Sequence, residues 1–134
     1  MADINIEKAD WAAFLEWVTR SLPGARAEVD VLSLEIGAQI EASSLPLLGI
    51  AYDRKNDLIE IALEGLDHMV HRPRDLAATE DEIGLLAIQI VDEDDVRQII
   101  KLTRPLELPS PAGMEGVAAW KRDPAKNKVG KSAP

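Results

Sequence analysis

Between Trp11 and Leu22 the apolar residues Trp11, Phe14, Leu15, Val18 and Leu22 follow the i, i+3, i+4, i+7 spacing of one helical face. Lys8, Glu16 and Arg20 lie elsewhere on that cylinder, Glu7 and Asp10 place negative charge in the first turn, and Asn5 is the predicted cap. Pro23 and Gly24 end the helix. Trp17 sits partly off the main stripe, which implies a second contact or partial exposure.

From Ala27 onward the apolar period changes from about 3.6 to about 2, the mark of half-buried strands. A turn at Leu34 and Glu35 would set Val31 opposite Ala38 and Val29 opposite Ile40 on one face, with Asp30 opposite Gln39 and Glu28 opposite Glu41 on the other. A second turn at Ser43 and Ser44 adds Leu45, Leu47, Gly49 and Ala51 to the apolar face. A third, through Arg54, Lys55 and Asn56, adds Ile59, Ile61 and Leu63. In this register GAQIEASSLPLLGI is the central hairpin of an antiparallel meander. The small residues around Gly37 and Gly49 mark a sharp bend or the close approach of another element.

The segment HMVHRPRDL reads as a short edge piece, because Pro73 has no N–H to give a ladder. EIGLLAIQIV and VRQIIKLT form a last hairpin around the acidic turn DEDD, with Leu85 set against Leu102 and Ala87 against Ile100. Apolar residues on both faces make its first strand central or covered on two sides. The fold class expected is α+β: an N-terminal amphipathic helix on a bent antiparallel meander of six or seven strands, with closure into a small barrel left open. Residues 1–108 form one domain in this reading. Residues 109–134 lack a repeating apolar face and are expected to be a disordered basic tail, with five basic residues against Glu115 and Asp123.

The whole chain has 134 residues and a formal charge of −9, which repels phosphate backbones and argues against nucleic acid as a partner. It has no cysteine, hence no disulfide, zinc–thiolate site or cysteine nucleophile. The N-terminus lacks the basic and apolar regions of a signal peptide, and no stretch approaches the roughly 18 apolar residues of a membrane span. The expectation is a cytoplasmic protein without membrane attachment.

Convergent chemistry is scarce. His68 and His71 are three apart, so on a strand they face opposite ways and hold no metal between them. DEDD lacks the alternating acids, glycine and closing glutamate of a calcium loop. The phosphate-binding glycine loops, H-E-x-x-H and G-x-S-x-G are all missing. No metal or cofactor is expected. The register above leaves Leu48, Ile50, Tyr52 and Leu58 on the outer face beside Gln39, Glu41 and Glu60. Four apolar residues there call for a cover, whether the rest of the chain, a partner surface or a ligand.

The order W-x-x-F-L in the helix, GAQ-x-EA, LPL-x-GI, IEIAL and H-x-x-HRP resembles a small bacterial family catalogued only as a domain of unknown function. The resemblance spans roughly Ile4 to Leu106, excludes the tail, and implies a compact domain with no transferable site. The function expected is a non-catalytic binding or interaction module, homodimeric or with an unknown protein partner, whose surface includes Gln39, Glu41, Leu48, Ile50 and Tyr52. The alternative is a small enzyme or ligand carrier with Asp53, His68, His71 and Arg72 at a histidine-containing pocket.

Overall fold

A computed structural model describes residues 2–35 and 37–108; the expected basic tail, 109–134, lies outside the described residues. The elements are β1 (Ala2–Ile6), a 3-10 turn (Lys8–Asp10), α1 (Trp11–Arg20), β2 (Arg26–Ser33), β3 (Gly37–Asp53), β4 (Leu58–Leu63), β5 (Leu66–His71), β6 (Pro73–Glu80), β7 (Leu85–Asp92) and β8 (Arg97–Leu106). All eight strands form one antiparallel sheet in the order β1-β6-β7-β8-β2-β3-β4-β5. The α+β class with a single α-helix holds, but the simple meander does not. Two meanders, β2 to β5 and β6 to β8, join where β8 pairs with β2, and β1 is added at the far edge.

The sheet is not a barrel. Its outermost strands β1 and β5 do not pair with each other, although the sheet curls enough for His68 on β5 to reach Gln98 on β8. The strand count differs from the expected six or seven because Ala2–Ile6, read as the approach to the helix, pairs with β6 from Ala2 opposite Glu80 to Ile6 opposite Leu76, and because HMVHRPRDL divides into β5 and β6 while the expected central hairpin is the single strand β3. Asn5 therefore sits in a strand and does not cap α1.

The helix carries the core as its spacing requires. Trp11, Phe14, Leu15 and Val18 are buried with Leu22 just beyond, and Trp17 is buried too, packed edge-on against Phe14 with ring centroids 6.1 Å apart. Beneath them lie Val29, Ile59, Ile61, Val70, Leu76, Ile88, Ile90 and Ile100. Pro73 opens β6, where its missing N–H costs no ladder bond.

β3 is the element that organises the molecule, and it is one strand of 17 residues where the sequence reading placed a hairpin. Ser43 and Ser44 make no reversal. The pairing with β2 slips twice, from Ala27–Leu45 to Val29–Ala42 and then to Asp30–Ile40, and the pairing with β4 slips between Leu47–Leu63 and Gly49–Ala62. Each slip is a bulge that adds one residue to β3 and bends it. Ser44 accordingly takes a left-handed φ of 49°, with Arg26 donating to its carbonyl at 2.6 Å.

These bulges give β3 two half-edges. Its first half pairs with β2 as far as Pro46, and its second half pairs with β4 from Leu47 onward. Past Pro46 the edge that faced β2 would be bare, and α1 fills it. Thr19 Oγ1 accepts from the Ile50 N–H at 3.0 Å and donates to the Ile50 carbonyl at 2.9 Å, doing for one residue what a neighbouring strand would do. Gly49 lies beside this contact, where an added Cβ would stand 3.4 Å from Thr19 Cγ2, at van der Waals distance. Thr19→Val keeps the shape and removes both bonds, so denaturant unfolding should show a loss of about 1–3 kcal/mol with an unchanged slope.

Candidate interaction site

The five residues expected on one outer surface are divided by the bulges. Gln39 and Glu41 are exposed on the first half of β3, and Leu48 is the extra residue of the last bulge, 60% exposed beside a cleft of about 380 Å³ lined also by Thr19 and Leu47. Ile50 is 2% exposed and belongs to the core, which corrects its placement on the outer face. Beyond Leu48 the alternation is inverted, so Ile50 points inward and Ala51 outward.

Tyr52 is likewise turned toward the helix. Its ring meets Trp11 edge-on at 5.2 Å, and its hydroxyl donates to Asp57 Oδ1 at 2.8 Å. Lys8 pairs with the same carboxylate at 3.3 Å and lies 5.4 Å from the Trp11 ring centroid. Burial and the Asp57 carboxylate hold the phenol above its ordinary pKa. The Tyr52 hydroxyl and the Lys8 ammonium hold Asp57 below its ordinary value. A carboxylate lowered in the folded state stabilises fully above its unfolded value, about 3.9, and loses that contribution as pH falls through its folded value. Stability measured from pH 6 downward should therefore fall less steeply below about pH 4 in Asp57→Asn than in the wild type.

The alternative set does not converge. Asp53 ends β3 at the β3–β4 turn, where its carboxylate accepts from the Lys55 and Asn56 backbone N–H groups and from the Asn56 amide; these bonds, the amide first, lower its pKa. His68 faces inward, 2.9 Å from the side-chain oxygen of buried Gln98. The Gln98 amide nitrogen donates to the Val96 carbonyl, so its oxygen is the acceptor and His68 Nε2 the donor. His71 is exposed on the opposite side of β5, as its spacing from His68 requires.

Arg72 locks a corner. Its φ is +50°, its N–H donates to the Asp57 carbonyl, its carbonyl accepts from Glu93, and its side chain pairs with the Glu93 carboxylate at 2.6 Å. The clefts of about 530, 470 and 380 Å³ are lined by none of Asp53, His68, His71 or Arg72. Among the described residues no group of three or more acidic or histidine side chains is arranged to hold a metal ion. DEDD is turn chemistry: Asp92 Oδ1 accepts from the Asp94 and Val96 N–H groups, and Asp95 adopts a φ of 62°.

On the outer face Lys101 bridges Asp30 at 2.7 Å and Glu28 at 3.9 Å. The lysine lowers the Asp30 pKa, and the neighbouring Asp30 raises that of Glu28. Glu28 stands opposite Lys101 and Asp30 lies two rungs along on the same face of β2, so the arrangement is a cross-strand ion cluster.

The feature missed from sequence is the exposed first half of β3. Residues 37–41 are all exposed, Ile40 at 62%, and Leu34 in the preceding turn is fully so. Among the described residues no strand lies along the edge of Gly37–Leu45 that faces away from β2. Length was the available signal: a segment of strand character more than twice as long as its 8- and 6-residue partners must overhang them.

The model of a family of unknown function, DUF5335, matches residues 2–111. The chain belongs to that family. An uncharacterized protein of Aquifex aeolicus is 32% identical over 110 residues, covering 81% of this chain and 99% of its own. The matched residues take in every strand of the sheet and stop short of most of the 109–134 segment. No solved structure matches. No helix among the described residues is long and apolar enough to cross a membrane.

Proposed function

We propose that this member of the family is a non-catalytic interaction module whose contact element is the overhanging half of β3, Gly37–Ser43, together with Leu34 in its turn. The observation that carries the reading is an edge with no neighbouring strand among the described residues, beside an isoleucine 62% exposed. Unpaired backbone donors and acceptors in a row are a template for another strand, and proteins ordinarily blunt such edges. Here the other half of the same strand is capped by Thr19, while this half carries no proline or lysine between Gly37 and Leu45.

Gln39 and Glu41 remain in the proposed surface; Leu48, Ile50 and Tyr52 lie on the other half of β3, where Ile50 and Tyr52 pack against α1. A small enzyme or carrier draws little support, because Asp53, His68, His71 and Arg72 serve separate turns and seams. The net charge of −9 favours a protein partner over nucleic acid and accords with a cytoplasmic, membrane-free life.

A photo-crosslinking residue placed at position 40 tests the reading, with position 64 as an exposed control on the β4–β5 turn. Irradiation in a cell extract should give adducts heavier than the monomer at 40 and none at 64. Absence of adducts at 40 would overturn it.

A further inference from the structure

The cleft of about 530 Å³ runs from the end of β1 across β6 and β7 to the start of β8. Two cross-strand rows build it. Asn5, Ala77 and Gln89 stand side by side in one, and Asp75, Val91 and Arg97 in the next, with Glu7 just beyond the Ile6–Leu76 pair. The strand neighbours Ile6, Leu76, Ile88 and Ile90 are turned into the core, so both rows face the other side of the sheet. Ala77 is a small residue between two longer amides, which hollows the first row. Val91, 7% exposed, is an apolar residue buried in the second.

Of the charged residues that line the cleft, Lys8, Arg74 and Asp75 are already paired. Arg74 holds Asp75 at 3.1 Å and Asp95 at 2.8 Å, and Lys8 holds Asp57 at 3.3 Å. Glu7 and Arg97 make no ion pair with each other or with any other described residue. The side-chain amides of Asn5 and Gln89 likewise have no hydrogen-bond partner among the described residues. One charge of each sign is left over, at opposite ends, with two groups between them that both donate and accept. Three strand spacings of about 4.8 Å separate β1 from β8, so the backbones of Glu7 and Arg97 stand roughly 14 Å apart.

We propose that this cleft binds short peptides with free ends, the ammonium at Glu7, the carboxylate at Arg97 and the peptide amides against Asn5 and Gln89. An extended chain of two or three residues measures about 7–10 Å, and the Glu7 and Arg97 side chains close the remaining distance. A guanidinium takes a carboxylate through two parallel hydrogen bonds, and a carboxylate accepts from an ammonium. Phosphate and other multiply charged anions are disfavoured, because Glu7 and Asp75 share the cleft and the chain carries −9. Ala77 and Val91 suit small apolar side chains on the peptide. The cleft shares no residue with Leu34 or Gly37–Ser43, so peptide binding and the contact role of β3 stand or fall separately.

Trialanine is the probe, titrated into the isotope-labelled full chain beside its N-acetyl and C-terminal amide forms. It should shift the backbone amide resonances of Ala77, Gln89 and Val91, and blocking either end should weaken it about tenfold or more, the loss expected for one charge-assisted contact. Arg97→Gln should weaken trialanine to the same extent and leave the amide form unchanged. Glu7→Gln should do the same for the other end, leaving the N-acetyl form unchanged. Both side chains are exposed, and Glu7 makes no side-chain cap to the turn that follows it, so both variants should keep the wild-type circular dichroism.

Failure of trialanine to bind at millimolar concentration would overturn the proposal. Equal affinity for the blocked forms, or equal loss of all three ligands in either variant, would do so too. Inorganic phosphate should not displace the peptide; displacement would reveal a plain anion site in its place.

Discussion

Ile50→Glu should abolish the cooperative unfolding transition. Ile50 is 2% exposed, lies opposite Ile61 in the sheet, and has both backbone polar groups held by Thr19. A carboxylate there would lose its hydration without gaining a partner, and the substitution also removes a buried aliphatic side chain. Each effect alone amounts to several kcal/mol, against a total stability of about 5–15 kcal/mol for a domain. Circular dichroism during heating should show no sigmoidal melt. Leu48→Glu, two residues earlier, should shift stability by no more than about 0.5 kcal/mol, because Leu48 is 60% exposed on the bulge. Equal losses at the two positions would refute the inverted alternation of β3.

Trp11→Ala is the second large effect. Trp11 is 1% exposed, its indole N–H donates to the Ile6 carbonyl at 2.8 Å, and its ring meets Tyr52. The substitution leaves a cavity where the start of α1 meets β3 and takes away the donor that ties the end of β1 to the helix. A cost of about 3–5 kcal/mol is expected from cavity formation. Denaturant titration followed by Trp17 fluorescence should show a loss of that size in the unfolding free energy. Trp11→Phe retains most of the volume and loses the hydrogen bond, so it should cost distinctly less.

Local period carried the sequence reading a long way. The face of α1, the inward set Ile59, Ile61 and Leu63 and the acidic β7–β8 turn depend on neighbours within a few residues and agree with the structure; HMVHRPRDL, expected as one edge piece, is an edge strand only as far as His71, and Pro73 opens β6, which lies inside the sheet between β1 and β7. What failed was counting across β3. The β2–β3 register slid by one, so Val31 faces Gln39 and not Ala38, and bulges at Glu41, around Ser43 and Ser44, and at Leu48 reversed the faces in turn. An extra residue leaves no mark in an alternating pattern except a change of phase, and two adjacent serines imitate a turn. The β7–β8 register moved in the same way: Ile100 pairs with Ile88 and not Ala87.

The candidate surface inherited that error. The simple alternation places Ile50 and Tyr52 outward because the extra residue at Leu48 goes uncounted, and places Ile40 inward because a turn at Leu34 and Glu35 would pair it with Val29, whereas it pairs with Asp30. His68 and His71 were correctly separated by strand geometry alone, since β5 has no bulge against β4. β1 was missed although Ala2, Ile4 and Ile6 alternate with Asp3 and Asn5, because the run is short and its partner β6 is remote in sequence.

The seam between β2 and β8 sets Ala27 across from Leu102. During synthesis the ribosome releases β2 long before β8 exists, so the centre of the sheet stays open until the chain is almost finished. Closing a loop of that length before any native contact rewards it makes folding slow and its final step late. A nascent chain halted before β8 would expose the flank of β2 as well as the overhang of β3, and it is this partial product, more than the finished domain, that chaperones would have to shield.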